Sequence, residues 1–151
     1  MKSTRISLTV EQKQAVARHL RISDGFMQVA RSLLRSSAEE SELRTGFSRL
    51  YYAFFHAGLG LLITLGWRGQ QLEHGQLPPE MDRRMGKRAN LGRMILSLYE
   101  LRKCSDYDNP TFSKQFNQDI EEARRRAVYE IRRVQSNFNW IYYEARKALS
   151  Q

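Results

Sequence analysis

Two residues of this chain have types and spacing suited to joint chemistry. Arg49 and His56 stand in the stretch Ser48-Arg49-Leu50-Tyr51-Tyr52-Ala53-Phe54-Phe55-His56-Ala57. If that stretch is helical at about 100° per residue, the two fall roughly 20° apart on one face and roughly 10 Å apart along the axis. Tyr52 and Ala53 lie between them on the same side. Metal-independent RNA cleavage needs a proton acceptor for the ribose 2′-hydroxyl and a cation beside the phosphorane; a histidine of near-neutral pKa suits the first role and an arginine the second. The same pair also suits simple binding of a phosphate, or a hydrogen-bonded position in a helical core. Spacing alone leaves the three open.

Other chemistries find no residues here. There is no glycine-rich phosphate loop, no cluster with metal-ligand spacing and no nucleophile elbow. The single cysteine, Cys104, excludes an internal disulfide and a cysteine-built zinc site, and it suits a reducing cytoplasm. No metal and no cofactor are expected.

The rest of the chain must position these groups. Its 151 residues fit one domain, and 41% hydrophobic with 27% charged residues fits a soluble, globular chain. Three prolines and no alternating β-branched runs favour an all-α fold. Met1 to Leu8 is polar and reads as a loose lead-in without a signal peptide. Leu50 to Trp67 carries no formal charge, and at roughly 18 residues it reaches the lower edge of a membrane span. His56, two tyrosines and three glycines within it favour a buried central helix over a membrane one. A net charge of +9 points to a polyanionic partner, nucleic acid first and an acidic membrane second.

The pattern predicts four helices. Thr9-Val10-Glu11-Gln12 fits a capping box that opens the first, over Val10 to Ser36, with a kink or break at Ser23-Asp24-Gly25. The second runs from Glu40 to a glycine cap at Gly66. Ala57, Gly58 and Gly60 on it permit close helix approach. Trp67 to Pro79 is a connection, and the third helix follows from Glu80 to Lys103. Its basic first half sets Arg83 with Lys87, and Arg84 with Arg88, on adjacent strips that a polyanion would relieve. At its end, Arg102 and Asp106 are one turn apart and can pair, and Asp106 could also reach Arg49 or His56. A carboxylate accepting from His56 would orient the ring and raise its pKa.

Asn109-Pro110 reads as a turn, after which Ser113 or Asn117 caps a fourth helix that ends near Leu149. Phe116, Ile120, Ala123, Ala127, Ile131 and Val134 mark its apolar face. Arg124-Arg125-Arg126 and Arg132-Arg133 form a basic outer face. The aromatic end, Phe138 to Tyr143, exceeds what one bundle face covers and suits a dimer contact.

Three of these segments carry a family resemblance. Ser48-Arg49-x-Tyr51-Tyr52-Ala53-x-Phe55-His56-Ala57 resembles the second-helix signature of HEPN domains, in particular the short stand-alone prokaryotic members. Arg102-x-x-x-Asp106-Tyr107 resembles a motif at the end of the third helix in the same subgroup, and His74-Gly75 resembles a loop feature between the second and third helices. The resemblance implies a HEPN-like four-helix up-and-down bundle, commonly a homodimer with a shared polar cleft. It implies RNA or nucleotide as ligand, and association with a minimal nucleotidyltransferase as in toxin–antitoxin or defence pairs. HEPN ribonucleases are known by an arginine followed a few residues later by a histidine, a form that Arg49 and His56 satisfy. The late position where that motif usually lies reads Arg102 to Tyr107 here, with Asp106 and no histidine. On the resemblance, Arg49 and His56 are the candidate catalytic pair of a metal-independent endoribonuclease. Ser48, Tyr52, Arg102, Asp106 and Tyr107 are candidate binding residues, joined by the basic Arg84 and Arg88. The alternative it leaves open is a non-catalytic module that binds RNA or nucleotide, or docks a nucleotidyltransferase.

Overall fold

The computed structural model describes residues 6–68, 72–85, 90–107 and 109–151, without the side chains at 107 and 109–111. All regular structure among them is helical. Helix α1 spans Val10–Leu33 and opens on the expected capping box: Gln12 N–H donates to Thr9 Oγ1 at 3.1 Å, and Thr9 N–H to Gln12 Oε1 at 2.8 Å. The expected break at Ser23 to Gly25 does not occur, since α1 is continuous there. Ser23 is fully buried and its hydroxyl donates to the Ala53 carbonyl at 2.7 Å, which ties the helix to its neighbour.

That neighbour, α2, spans Glu40–Thr64. It is apolar on most sides, so other helices surround it. It packs against α1, then against α3, α4 and α6 described below. Its pairing with α1 is antiparallel, since Leu34 meets Gly46, Ser23 meets Ala53 and Leu20 meets Gly60. It ends in a Schellman motif: Trp67 N–H reaches Leu62 O at 2.9 Å and Gly66 N–H reaches Ile63 O at 3.1 Å, with Gly66 at φ +85°. Leu50 to Ile63 thus lies inside the bundle, and no helix among the described residues is long and apolar enough to cross a membrane.

The single third helix of the sequence reading is divided. A 3-10 turn at His74–Gln76 leads into α3, Leu77–Met85, and α4 spans Leu91–Tyr107. Pro78 and Pro79 sit inside the first turn of α3, where no backbone donor is required, so the helix begins at Leu77 and not after Pro79. Asn90, at φ 55°, is left-handed and cannot continue a helix into α4. Leu77 and Met81 press against Gly58, where an added Cβ would stand 3.1 Å from Leu77.

Asn109-Pro110 is likewise not a turn. It opens a short helix, α5, Asn109–Gln115, because proline is tolerated in a first turn. Phe112 and Phe116 then reach Phe47 on α2 at ring separations of 6.4 and 6.0 Å. The left-handed Asn117 and Gln118 (φ 53° and 58°) separate α5 from α6, Ile120–Lys147. The cap of α6 is Asp119, which accepts from Glu121 N–H at 2.9 Å; Ser113 lies within α5 and the Asn117 side chain donates to Glu122. Helix α6 runs in the same direction as α2, with Arg124 bonded to the Ala38 carbonyl and Phe138 against Phe54. Most of its aromatic end is covered within the chain. Phe138 and Ile141 are buried, Trp140 and Tyr142 half-buried, and Tyr143 exposed.

Candidate functional site

The first half of α2 and the last turn of α4 do not close on each other. Between them lies an open cleft of about 700 Å³. Its α2 wall carries Glu40, Arg44, Ser48, Arg49 and Tyr52, spaced at helical i+3 and i+4 steps so that one face supplies the wall. Ser41 and Thr45 add hydroxyls, and Ser105 and Asp106 form the α4 side.

Two arginines here lack an acceptor at hydrogen-bond distance among the described residues. Arg49 meets the face of Phe26, 5.5 Å from the ring centroid, and no carboxylate pairs with it among the described residues. Arg44 lies over Phe112 at 5.3 Å, and its Nη1 is buried 3.8 Å from Glu40 without a hydrogen bond. A buried donor left unmatched costs about 1–3 kcal/mol. Ser48, at 5% exposure, makes no hydrogen bond among the described residues and also opens on the cleft.

Behind the cleft, Arg102 organises two of the polar groups that line it, Tyr52 and Asp106. Its Nε donates to Asp106 at 2.8 Å and an Nη2 hydrogen to the Tyr52 hydroxyl at 2.9 Å, while its guanidinium covers the Tyr52 ring at 5.2 Å. The pairing of Arg102 with Asp106 is as the spacing predicts. It neutralises Asp106, and it leaves the Tyr52 O–H proton free to point elsewhere, since the oxygen is already accepting. His74 sits in a box of rings, 4.5 Å from Phe55 and 5.5 Å from Tyr52, and its Nδ1 is hydrogen-bonded to the Tyr51 hydroxyl at 3.0 Å. Burial, with the Arg102 charge, keeps His74 neutral by lowering its pKa, and burial pushes the Tyr51 phenol well above its ordinary range.

His56 is elsewhere. It lies on the α1 side of α2, where its Nδ1 is 3.0 Å from Nδ1 of His19 and the two rings stack at 5.3 Å. One ring donates and the other accepts. The pair can hold one extra proton, but two would set N–H against N–H. Burial first, then His19 and His74, drives His56 down to about 4, and burial lowers His19 as well. The carboxylate that would have raised its pKa is absent: Asp106 turns to Arg102. Phe26 stands between the sequence-matched pair. Its ring centroid is 5.5 Å from the Arg49 guanidinium and 5.8 Å from the His56 ring, distances that together span the roughly 10 Å helical rise separating the two residues.

The cleft therefore gathers Ser48, Arg49, Tyr52 and Asp106, with Arg102 behind them, and leaves His56 out. Arg84 is also remote. It spends its donors on Glu80 at 2.7 Å and on the Leu65 carbonyl at 3.0 Å. Arg83 and Arg84 together hold the Glu80 carboxyl down to about 2. Lys87, Arg88 and the Tyr107 side chain lie outside the described residues. Cys104 is buried, donates to the Leu101 carbonyl at 3.1 Å, and has its thiol pKa raised by burial, which suits packing and not reactivity.

Arg44, Phe26 and His19 escaped the sequence reading. Arg44 had a signal, being one turn before Ser48 on the same helical strip. Phe26 and His19 had none, because both act across the α1–α2 contact. No family model, curated protein or solved structure matches this chain.

Proposed function

We propose that this chain is a HEPN-like four-helix up-and-down bundle that binds the phosphate of a nucleotide, free or within RNA, in the cleft between α2 and α4. The alternating directions of α1, α2, α4 and α6 support the bundle reading: Ser48 shares the cleft with Asp106 while Tyr51, further along α2, meets Tyr99, earlier on α4, so α4 runs opposite to α2. The observation that carries the function is Arg49, a guanidinium on the cleft wall with a ring for a partner and no paired carboxylate among the described residues. Arg44 adds a second under-coordinated cation, Ser48 and Tyr52 add hydroxyls, and Arg102 cancels the one carboxylate of α4 that faces the ligand. A net charge of +9 favours an anion at long range.

The geometry favours binding over cleavage. A base of pKa about 4 is weak at neutral pH, and His56 is separated from the cleft by Phe26 and tied to His19. The test is titration of a fluorescent ATP analogue and of a labelled RNA, the two arms distinguishing a free from a chain phosphate. Arg49→Ala should weaken whichever arm binds by about tenfold or more, the scale of a charge-assisted hydrogen bond, while His56→Ala should leave binding intact and the RNA uncut. Neither probe binding, or an Arg49→Ala variant that binds as wild type, overturns the reading. RNA decay that disappears in His56→Ala would establish the ribonuclease in its place.

A further inference from the structure

Helix α6 carries an exposed seam with an unusual make-up. Its most exposed positions recur at steps of three and four residues, as one strip of a helix must. The first half exposes Arg125, Tyr129 and Arg132. Ser136 and Asn139 then lead to Tyr143 and Arg146. Tyr129 is 59% exposed and Tyr143 60%, so two large rings stand in solvent on one strip.

No carboxylate lies on this run of residues. Glu121 ends it on the N-terminal side, Glu130 is buried beneath Arg126 and Arg133, and Glu144 pairs with Lys147 to one flank. Arg125 is 70% exposed with Asp119 no nearer than 3.9 Å. Arg132 and Arg146 have no ion pair among the described residues. Beside Tyr129, a shallow groove of about 680 Å³ is walled by Arg124, Arg125, Val128, Arg132 and Arg133, with Glu121, paired to Arg124, at its end. The Lys147 ammonium lies 5.1 Å over one face of the Tyr143 ring.

We infer that this seam is a binding surface for single-stranded nucleic acid. Exposed tyrosines give platforms on which any base can stack, and the arginines between them meet the flanking phosphates. Ser136 and Asn139 supply the hydrogen-bonding groups between the two platforms. From Arg125 to Arg146 the strip runs about 30 Å, a length suited to the lower part of the roughly 4–16 nucleotides that single-strand surfaces engage. A duplex hides its base faces and cannot use the rings. The inference rests on the preceding reading only for nucleic acid as the class of partner; the seam shares no residue with the cleft.

The test uses the full chain with a labelled oligouridylate, the same length as RNA duplex, and the fluorescent ATP analogue. Tyr129→Ala with Tyr143→Ala should weaken the single strand by about tenfold or more, given the strength of base–aromatic stacking, and leave the ATP analogue and the circular dichroism spectrum unchanged. Arg125→Ala and Arg132→Ala should each lower the slope of log affinity against log salt by about 0.7. Single-strand affinity unchanged in the tyrosine variant, or equal affinity for the duplex, overturns the seam. Single-strand binding lost in Arg49→Ala but kept in the tyrosine variant overturns the seam and keeps the cleft. The reverse pattern keeps the seam and restricts the cleft to a free nucleotide; it removes the cleft if the ATP analogue also binds Arg49→Ala as it binds wild type.

Discussion

His19 and His56 face each other across the α1–α2 contact with their Nδ1 atoms 3.0 Å apart, one imidazole donating to the other. Both have pKa values below that of a free imidazole, His56 at about 4. The unfolded chain therefore binds protons from about pH 6.5 downward that the folded chain refuses until near pH 4. Stability is complete above that window and falls as pH drops through it. Thermal melts between pH 7 and pH 4 should show a decline of several degrees that is clearly smaller in His56→Leu. Parallel pH profiles for the two proteins would disprove the coupling.

Arg102 should matter more for stability than any arginine on the surface. It is buried and bonded to both Asp106 and Tyr52. Arg102→Met should cost about 2–4 kcal/mol by urea unfolding, because the Asp106 carboxyl and the Tyr52 hydroxyl both lose their partner. The variant should also bind the ATP analogue more weakly, since Tyr52 and Asp106 lose their common anchor. A change under about 1 kcal/mol, the scale of an exposed pair, would contradict this.

Two glycines on helices should respond to alanine with opposite signs. At Gly25 an added Cβ meets nothing within 4 Å, so Gly25→Ala gains helix propensity, about 0.5–1 kcal/mol. At Gly46 the added Cβ would stand 2.6 Å from Leu34 Cδ2 and 2.7 Å from its Cγ. Leu34 is buried and must shift, so Gly46→Ala should lose about 1–3 kcal/mol. Denaturant midpoints of the two variants measure the contrast.

Glu130 is 1% exposed and accepts from Arg126 at 2.7 Å and from Arg133 at 2.6 Å. Glu130→Gln should destabilise by about 2–3 kcal/mol, near the lower end for breaking a buried pair because both arginines are partly in solvent. Glu144→Gln, which breaks a more exposed pair with Lys147, should cost under about 1 kcal/mol. Equal costs would mean that burial of Glu130 is unimportant.

Periodicity made α1, α2 and α6 legible, and local chemistry made the Thr9 cap, the Gly66 cap and the Arg102–Asp106 pair legible. What failed were breaks decided by single backbone angles. Asn90, Asn117 and Gln118 take left-handed conformations that their residue types permit but do not require. The Pro110 turn failed for the complementary reason, since proline both ends helices and starts them. In the site, residues on one helix strip were found together: Ser48, Arg49 and Tyr52 line one cleft. Asp106, expected near Arg49, does line that cleft with it, whereas what depended on α1 stayed hidden, including the His19 partner of His56.

Phe26 has a consequence of its own. Arg49 and His56 occupy one face of one rod, yet a single benzyl group from α1 partitions them. Shortening that side chain would take away a ring that touches both groups and open a path from the guanidinium toward the imidazole. Phe26→Ala, assayed for RNA cleavage that needs His56, measures what that ring prevents.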